Sequence, residues 1–357
     1  MKKFFRLTAM AFAGALLIAS GAASAEKLKV GFIYIGPPGD FGWTYAHDQG
    51  RMQIEKELGD RVETTFVENV PEGPDAERAI AKLAETGHEL IFTTSFGYME
   101  PTLKAAKRFP NVKFEHATGY KQADNVATYN AKFYEGRYVQ GIIAGKMSKT
   151  NTVGYIASFP IPEVIMGINA FLLGAHSVNP DIKLKIVWAY TWFDPPKEAD
   201  AAKVLMDQGA DIITQHTDST AALQAAAERG VLAFGQASDM IQFAPDTQLT
   251  SIIDEWGPYY VERTQAVLDG TWTSGDTWHG MSDGLVVMAP YTNMPDDVAT
   301  LAAETAESIR TGAFHPFTGP IYNQAGELVV SDGEVADDGM LAGMKFYVKG
   351  IDDEVPN

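Results

Sequence analysis

The sequence predicts an α/β protein of two similar domains, each built on a parallel β-sheet covered by helices. Three observations support this prediction. The chain has 357 residues, 46% of them hydrophobic, which is more than one core usually holds. Short β-branched or aromatic runs alternate with segments of helical periodicity, as in parallel sheets. After residue 151 the alternation begins again, so the chain divides into two series of the same order.

The first 25 residues have the pattern of an export signal. Three basic residues precede an apolar run at 9–18, and Ala23-Ser-Ala25 matches a signal peptidase site. We therefore expect a mature chain that begins near Glu26, and no second apolar stretch is long enough to predict a membrane span. The absence of cysteine excludes disulfides and a thioether lipid anchor. A free periplasmic protein of a double-membraned bacterium fits these features best.

The charge of the chain argues against two classes of partner. The net charge is −18, and the predicted export signal carries only basic charges, so the mature chain is more acidic still. Such an acidic surface disfavours binding to nucleic acid or to anionic lipid. We expect no nucleic-acid partner.

The first series runs from residue 28 to residue 148. Its strands are short apolar or alternating runs, and its second helix begins at Pro74 with apolar residues at helical spacing. The predicted strands are 28–35, 61–67, 89–94, 111–116 and 125–130, and the predicted helices are one that opens near Thr44 and those at 74–84, 100–108 and 134–147.

The second series repeats this order, and a third segment follows it. The strands of the second series are predicted at 152–158, 184–189, 211–216, 231–234 and 249–254, and its helices at 163–177, 197–208 and 220–228. The third segment contains a predicted helix at 259–268, a strand at 284–288 and a β-hairpin at 317–330 with its turn at 323–326.

A glycine- and proline-rich loop, residues 36–42, joins the first strand to the first helix. Such a loop lies at the carboxyl edge of a parallel sheet, where α/β proteins bind ligands. Trp43 stands at the end of this loop, and we expect its ring to line a cleft. The alternative is that Trp43 covers the start of the helix as a hydrophobic cap.

Known catalytic patterns are missing from the sequence. It contains no nucleophile elbow, no zinc-protease motif, no Walker A loop and no complete dinucleotide-binding glycine motif. With no cysteine and seven scattered histidines, no metal or thiol site is predicted. His216-Thr-Asp-Ser219 could suggest a hydrolytic cluster, but a loop after a strand is the simpler interpretation. We predict no catalytic residues, no metal and no cofactor.

Aromatic and acidic residues recur where the predicted strands end. Aromatic rings from two domains can sandwich a planar ligand, and carboxylates can accept hydrogen bonds from its N–H groups. This combination suits a neutral or N–H-rich heterocycle and disfavours phosphates and carboxylates. For each aromatic residue taken singly, ordinary core packing is the alternative. The candidate ligand-binding residues are Trp43, Thr44, Phe96, Tyr98, Glu163, Trp192, Phe193, Asp218, Asp239 and Trp256.

Several motifs, in this order along the chain, resemble the basic membrane protein family, which comprises ABC-transporter substrate-binding proteins of the purine-nucleoside-receptor type. The likeness covers nearly the whole mature chain. The motifs are Lys29-Val-Gly-Phe-Ile33, Asp40-Phe-Gly-Trp-Thr44, 135–145, Val153-Gly-Tyr-Ile156, Gly167-Ile-Asn-Ala-Phe171, Trp192-Phe-Asp-Pro-Pro-Lys197 and Val267-Leu-Asp-Gly-Thr-Trp272.

The resemblance implies a type I periplasmic-binding-protein fold, with two Rossmann-like lobes joined by a hinge. The first lobe would comprise residues 26–148 and about 255–285, and the second residues 149–254 and about 286–357. The family resemblance also implies a monomer that encloses its ligand between the lobes and delivers it to an ABC permease in the inner membrane.

The resemblance assigns roles to particular residues. Trp43 stands at the family's first-lobe stacking aromatic, and Thr44 at the asparagine that usually follows. Trp192 or Phe193 stands at the second-lobe stacking aromatic. Asp239 stands at a carboxylate that holds sugar hydroxyls in nucleoside binders.

The chain also departs from the family pattern. Its loop reads Asp40-Phe-Gly-Trp-Thr44 instead of Asp-x-Ser-Phe-Asn, and the lipobox cysteine is missing. Asp254-Glu-Trp256 occupies the stretch where a sugar-contacting lysine is common. Loss of that lysine and the presence of a bulky indole favour a ligand smaller than a nucleoside.

The resulting hypothesis is a non-enzymatic receptor for a purine nucleobase, adenine-like or otherwise, or a nucleoside. Trp43 and Trp192 would stack on the ring, and Glu163, Asp218 and Asp239 would accept hydrogen bonds. The alternatives are a sugar or polyol receptor, because sugars also lie on aromatic faces, and a secreted nucleoside hydrolase. A cytoplasmic regulator of related fold would need a helix-turn-helix where this chain has an export signal.

Overall fold

The computed structural model describes residues 26–356, so the predicted export signal lies outside the described residues. The described chain forms two lobes, each with a six-stranded sheet. The chain first forms β1 (Leu28–Ile33), α1 (Trp43–Leu58), β2 (Val62–Val67), α2 (Pro74–Glu85), β3 (Leu90–Thr93), α3 (Met99–Arg108), β4 (Lys113–Ala117) and β5 (Val126–Ala131).

The second series follows the same strand–helix order. It comprises α4 (Phe133–Met147), β6 (Thr152–Ala157), α5 (Pro162–Val178), β7 (Lys183–Trp188), α6 (Pro195–Asp207), β8 (Ile212–Gln215), α7 (Ala221–Glu228), β9 (Leu232–Gly235) and β10 (Gln248–Asp254). The remaining elements are α8 (Gly257–Leu268), β11 (Asp276–His279), β12 (Val286–Met288), α9 (Asp296–Arg310), β13 (Ile321–Tyr322), β14 (Leu328–Val330) and α10 (Asp338–Ala342).

The first sheet is entirely parallel, and the second is parallel except for one edge strand. The first has the order β11-β5-β4-β3-β1-β2, and all its pairings are parallel. The second has the order β12-β10-β9-β8-β6-β7, in which β12 alone runs antiparallel, against β10. The predicted α/β class with two parallel sheets is therefore confirmed. The predicted hairpin at 317–330 corresponds to β13 and β14.

The chain passes between the lobes three times. It leaves the first sheet after β5, returns after β10 to form α8 and β11, and crosses again between β11 and β12. Sequence analysis identified neither β11 nor α9. β11 is only four residues long and contains Asp276 and His279, so it lacks the apolar run that identified the other strands.

A buried carboxylate attaches the returning segment to the first lobe. Glu115 in β4 is completely buried and accepts hydrogen bonds from the Tyr259 hydroxyl (2.7 Å), the Trp272 indole (2.7 Å) and Arg263 Nε (2.5 Å). Burial raises the pKa of Glu115, while Arg263 and these hydrogen bonds oppose the rise. A carboxylate can be buried without a large loss of free energy only when its oxygens are hydrogen-bonded and its charge is paired.

The helix α4 packs against α5, although sequence analysis assigned residues up to 148 to the first lobe. Glycines bring the two helix backbones into contact, because a Cβ at Gly141 would overlap the carbonyl oxygen of Phe171 and one at Gly174 would overlap that of Tyr138. Residues 133–145 are buried throughout, as expected of a helix with neighbours on every side. The first crossing thus precedes α4.

In residues 26–356 no helix combines the length and the apolar character that crossing a bilayer requires.

The substitution Gly141→Ala should destabilise the protein by about 1–3 kcal/mol, since the added methyl group forces α4 and α5 apart. Urea unfolding of the ligand-free protein measures this loss. Gly275→Ala is the control, because a Cβ at that position meets no atom within 4 Å. Equal stability of the two variants would show that the backbone contact does not hold α4 in place.

Candidate ligand-binding site

A cavity lies between the lobes at the carboxyl ends of the parallel strands, the expected position of a ligand site in this class of fold. About 390 Å³ of space not filled by protein atoms lies inside it, part of it open to solvent. After each strand from β1 to β9, except β2, the chain supplies at least one residue that lines the cavity. The lining residues are Ile35, Trp43, Ser95, Phe96, Thr118, Phe133, Glu163, Trp192, His216, Asp218 and Gln236.

The lobes are closed around this cavity. A Cβ at Gly42 of the first lobe would overlap the backbone carbonyl of Asp218 in the second, so the two main chains touch there. The Ser238 hydroxyl donates a hydrogen bond to the carbonyl oxygen of Phe41. Only glycine permits this approach at position 42.

The loop before α1 is held by one carboxylate. Asp40 accepts hydrogen bonds from the backbone N–H groups of Gly42 (2.8 Å), Thr44 (3.1 Å) and Tyr45 (2.9 Å), and burial raises the pKa of Asp40 to about 6. The Thr44 hydroxyl accepts from the N–H of Gly36 at 3.2 Å. These bonds fix the loop so that Trp43 faces the cavity.

The ring of Trp43 has a defined orientation in the first-lobe wall. Its indole N–H donates to the carbonyl oxygen of Thr94 at 2.7 Å. Behind it, Trp256 stacks on His47, with ring centroids 4.8 Å apart, and meets Trp43 edge-on at 5.6 Å. Trp43 is thus both the first residue of α1 and part of the cavity wall.

Trp192 occupies the second-lobe wall. Its indole N–H donates to Glu72 Oε1 of the first lobe at 3.3 Å, and its ring packs against Phe159 at 5.1 Å. Glu72 Oε1 also accepts from the Ser95 hydroxyl (2.6 Å) and the N–H of Gly97 (2.9 Å). Glu72 therefore links the loop after β3 to Trp192, a role that its position after β2 did not reveal.

A glutamate and a histidine form one polar side of the cavity. His216 Nε2 lies 3.3 Å from Glu163 Oε1. Burial lowers the pKa of His216 although Glu163 opposes this effect, so the ring is neutral and its Nε2–H can donate to Glu163. The hydroxyl of Ser219 donates to Glu198 at 2.7 Å instead. The segment 216–219 is therefore not organised as a hydrolytic cluster.

A buried arginine orients an amide at the base of the cavity. Arg137 is completely buried and donates to Gln140 Oε1 (3.1 Å), Thr214 Oγ1 (3.1 Å) and Gln236 Oε1. Because the Gln236 oxygen is used in this way, its NH₂ group is left to donate to a ligand. Gln236 follows β9 directly, and the strand-end argument could have identified it.

Several polar atoms buried in or beside the cavity wall have no hydrogen-bond partner within residues 26–356. They are Arg137 Nε, Ser158 Oγ, Glu163 Oε2, His216 Nδ1, Thr217 Oγ1 and Asp218 Oδ2. Unpaired buried polar atoms cost free energy. Similar atoms occur elsewhere in the described chain, but those of the lining residues Glu163, His216 and Asp218 are placed where a polar ligand could satisfy them. In the described part of the chain no group of three or more His, Asp and Glu residues could hold a metal.

The structure brings five candidate residues together and places five elsewhere. Trp43, Phe96, Glu163, Trp192 and Asp218 line the cavity. Thr44 is buried in the loop that it stabilises. Tyr98 lies in the first-lobe core, where its hydroxyl donates to the carbonyl oxygen of Val70 at 2.5 Å.

The other three candidates lie near the cavity without lining it. Phe193 faces Gly36 across the lobe boundary. Asp239 and Trp256 line a separate polar groove beside α1. Asp239 accepts there from Gln248 Nε2 at 2.8 Å and from the N–H of Ile241 at 3.1 Å. Of the lining residues, Ile35, Ser95, Thr118, Phe133, His216 and Gln236 were not among the candidates.

Two proteins with related sequences are named for the small molecules that they bind. A purine-binding protein of Brucella abortus is 67% identical over 337 residues, which is 94% of this chain and 96% of that protein. A Haloferax volcanii protein, provisionally named as an ABC transporter glucose-binding protein, is 36% identical over 94% of this chain and 83% of its own length.

Solved structures share the fold. A solute-binding protein of an ABC transporter system from Aeropyrum pernix superposes with a TM-score of 0.70 at 20% identity, over 81% of this chain and 92% of that one. Its counterpart from Conexibacter woesei gives 0.63 at 21% identity, over 81% and 98%. Residues 27–310 match the family model of PnrA-like ABC transporter substrate-binding proteins. The chain thus belongs to the PnrA-like family of ABC transporter substrate-binding proteins.

Proposed function

We propose that this protein is a periplasmic receptor that binds a purine nucleobase, adenine-like, between its lobes and delivers it to an ABC permease of the inner membrane. The observation that carries the proposal is the cavity itself. One indole from each lobe, Trp43 and Trp192, lines it together with two buried carboxyl oxygens that lack partners, Glu163 Oε2 and Asp218 Oδ2. The relative that is 67% identical carries the name of a purine-binding protein.

The site favours a free base over a nucleoside. Asp239, which the family resemblance assigned to sugar hydroxyls, is bonded to Gln248 and lies in the separate groove. The stretch 254–256 supplies Asp, Glu and Trp in place of the sugar-contacting lysine. Among the described residues no Lys or Arg side chain lines the cavity. A small, flat and neutral ligand suits these walls.

A sugar is the second candidate, because one relative at 36% identity carries a name as a glucose-binding protein. Sugar sites grip hydroxyl groups with Arg, Asn and Gln side chains. Here the guanidinium of Arg137 is already bonded to Gln140, Thr214 and Gln236, and Gln236 offers one amide group. With so few side chains free to bind hydroxyl groups, the cavity favours the purine over a sugar.

Binding would act by stabilising the closed lobes. A ligand that contacts Trp43 of the first lobe and Trp192, Glu163 and Asp218 of the second makes all its contacts only when the lobes are shut. It therefore shifts the population toward the closed state. The permease would then recognise the closed surface. This is a receptor mechanism without a chemical step, and no enzymatic activity is proposed.

Mass spectrometry of the small molecules released when the purified protein is denatured should detect a purine base. A thermal-shift screen of bases, nucleosides and sugars complements this measurement, since a ligand at 100 times its Kd adds about 2.7 kcal/mol of stability. Release of a sugar, or stabilisation by glucose and not by adenine, would replace the purine proposal with the second candidate.

Trp43→Ala and Trp192→Ala should each weaken adenine binding by about 1–3 kcal/mol, the range for loss of one aromatic stack on a base. Isothermal titration calorimetry measures the affinity. Tyr322→Ala is the control, because this ring is 42% exposed and lies in the separate β13–β14 hairpin, outside the cavity wall. If both tryptophan variants bind as tightly as the control, the assignment of the stacking residues is wrong.

Gly42→Ala should weaken adenine binding by at least about tenfold, or 1.4 kcal/mol, because the new methyl group meets the Asp218 carbonyl and opposes closure. The open lobes are not strained, so the stability of the ligand-free protein should change little. Gly39→Ala is a matched control in the same loop, since a Cβ there meets no atom within 4 Å. Unchanged affinity in Gly42→Ala would mean that binding does not require this degree of closure.

A further inference from the structure

One carboxyl group in the cavity has no charge partner. Asp218 follows β8, is 4% exposed and lines the cavity. Its backbone N–H donates to the Trp192 carbonyl at 2.9 Å. Its Oδ2 is buried without a hydrogen bond to any residue in 26–356. Such a group is positioned to bind a ligand, because nothing else in the described structure satisfies it.

The titratable groups that shift the pKa of Asp218 are all acidic. They are Asp40 in the loop before α1, Glu163 in α5, Glu198 in α6 and Asp254 at the end of β10. The neighbouring His216 is neutral. The buried cation Arg137 is bonded to three other side chains.

These surroundings determine the protonation state of Asp218 when the lobes are closed. An ionised carboxylate buried without a partner is very costly, and a buried group avoids the cost by binding a proton. Burial first, and then the four carboxyl groups, raise the pKa of Asp218 well above its usual range. A protonated carboxyl group carries one O–H donor and one carbonyl acceptor.

We propose that Asp218 binds the purine as a neutral carboxylic acid, whose O–H donates to a ring nitrogen and whose carbonyl oxygen accepts an adjacent N–H. The inference rests on the proposed function and specifies the ligand more closely. A purine base offers such a nitrogen beside an N–H group along its edges. An ionised carboxylate would face the lone pair of that nitrogen and repel it.

The neighbouring groups extend this recognition to the substituents of the ring. Glu163 Oε2 has no partner among the described residues and can accept from an exocyclic amino group. An exocyclic carbonyl at the same place would be repelled by this oxygen, because both are acceptors. The arrangement therefore selects an aminopurine such as adenine over a dioxopurine such as xanthine, most of whose ring nitrogens carry hydrogen and cannot accept from Asp218.

The proposal implies that a proton is taken up with the ligand. In the open protein Asp218 is exposed to water and ionised at neutral pH, whereas in the closed complex it is protonated. Because the pKa of Asp218 is raised in the complex, the affinity for adenine is highest at pH values below the pKa that Asp218 has in the open state. Affinity then falls as pH rises toward the pKa of the complex, by at most about tenfold for each pH unit.

Titration calorimetry with adenine tests whether a proton is taken up when the ligand binds. Repeating the titration in two buffers of different ionisation enthalpy should show uptake of nearly one proton per adenine by the wild-type protein. Affinity should also fall by tenfold or more between about pH 6 and about pH 9, the range that buried carboxyl groups reach. Asp218→Asn keeps a donor and an acceptor but cannot titrate. Proton uptake and this pH dependence should therefore both disappear above about pH 7, where Asp40 with its pKa of about 6 is already ionised.

Asp254→Asn is the matched control, because Asp254 is also buried with both carboxyl oxygens unpaired among residues 26–356 but lies outside the cavity wall. It should retain most of the proton uptake of the wild type, because burial, and not the carboxyl group of Asp254, is the largest cause of the raised pKa of Asp218. Loss of uptake in Asp254→Asn and not in Asp218→Asn would overturn the proposal.

The possible failures are distinguishable. Tight adenine binding by the wild type without proton uptake would refute the role of Asp218 and leave the proposed function intact. Absence of binding by any purine base would refute both. Should Asp218→Asn fail to fold, the wild-type titrations and the comparison of adenine with xanthine still decide the question, and equal affinities for the two bases would count against the proposal.

Discussion

The site depends on one electrostatic constraint: where the lobes close, they bury polar atoms that have no hydrogen-bond partner in the described protein. Glu163, His216 and Asp218 each keep a buried atom without a hydrogen bond inside residues 26–356. The buried carboxylate Glu115 in the first lobe shows the contrast, since three donors satisfy it. Glu115 is satisfied inside its own lobe, whereas the unpaired atoms in the cavity wall are left for a polar ligand under the proposed function.

Much of the fold and about half of the candidate site could be predicted from the sequence. The rule that parallel strands end at one edge of a sheet identified Trp43, Phe96, Glu163, Trp192 and Asp218, all of which line the cavity. The same rule could not decide which of several consecutive side chains turns inward. Tyr98 is two residues from Phe96 but points into the core, because its hydroxyl reaches the Val70 carbonyl. That partner lies 28 residues away and leaves no local signal.

The position of α4 shows a second limit of sequence reasoning. Its apolar residues occur on all sides, so periodicity could not indicate which sheet it covers. The decisive contacts are between backbones, where Gly141 meets Phe171 and Gly174 meets Tyr138. Glycine has no side chain whose character could indicate such a contact in the sequence. Only the folded chain shows that the first crossing comes before the helix.

The contact between Gly42 and the Asp218 carbonyl has a consequence for how new specificities could arise in this protein. Because backbone meets backbone there, the minimum spacing of the lobes is set by the path of two loops and not by the size of any side chain. Truncating residues in the wall would deepen the cavity without letting the lobes stand further apart. Accommodating a thicker molecule would instead call for inserted or deleted residues in one of these loops, a rarer kind of genetic change than substitution.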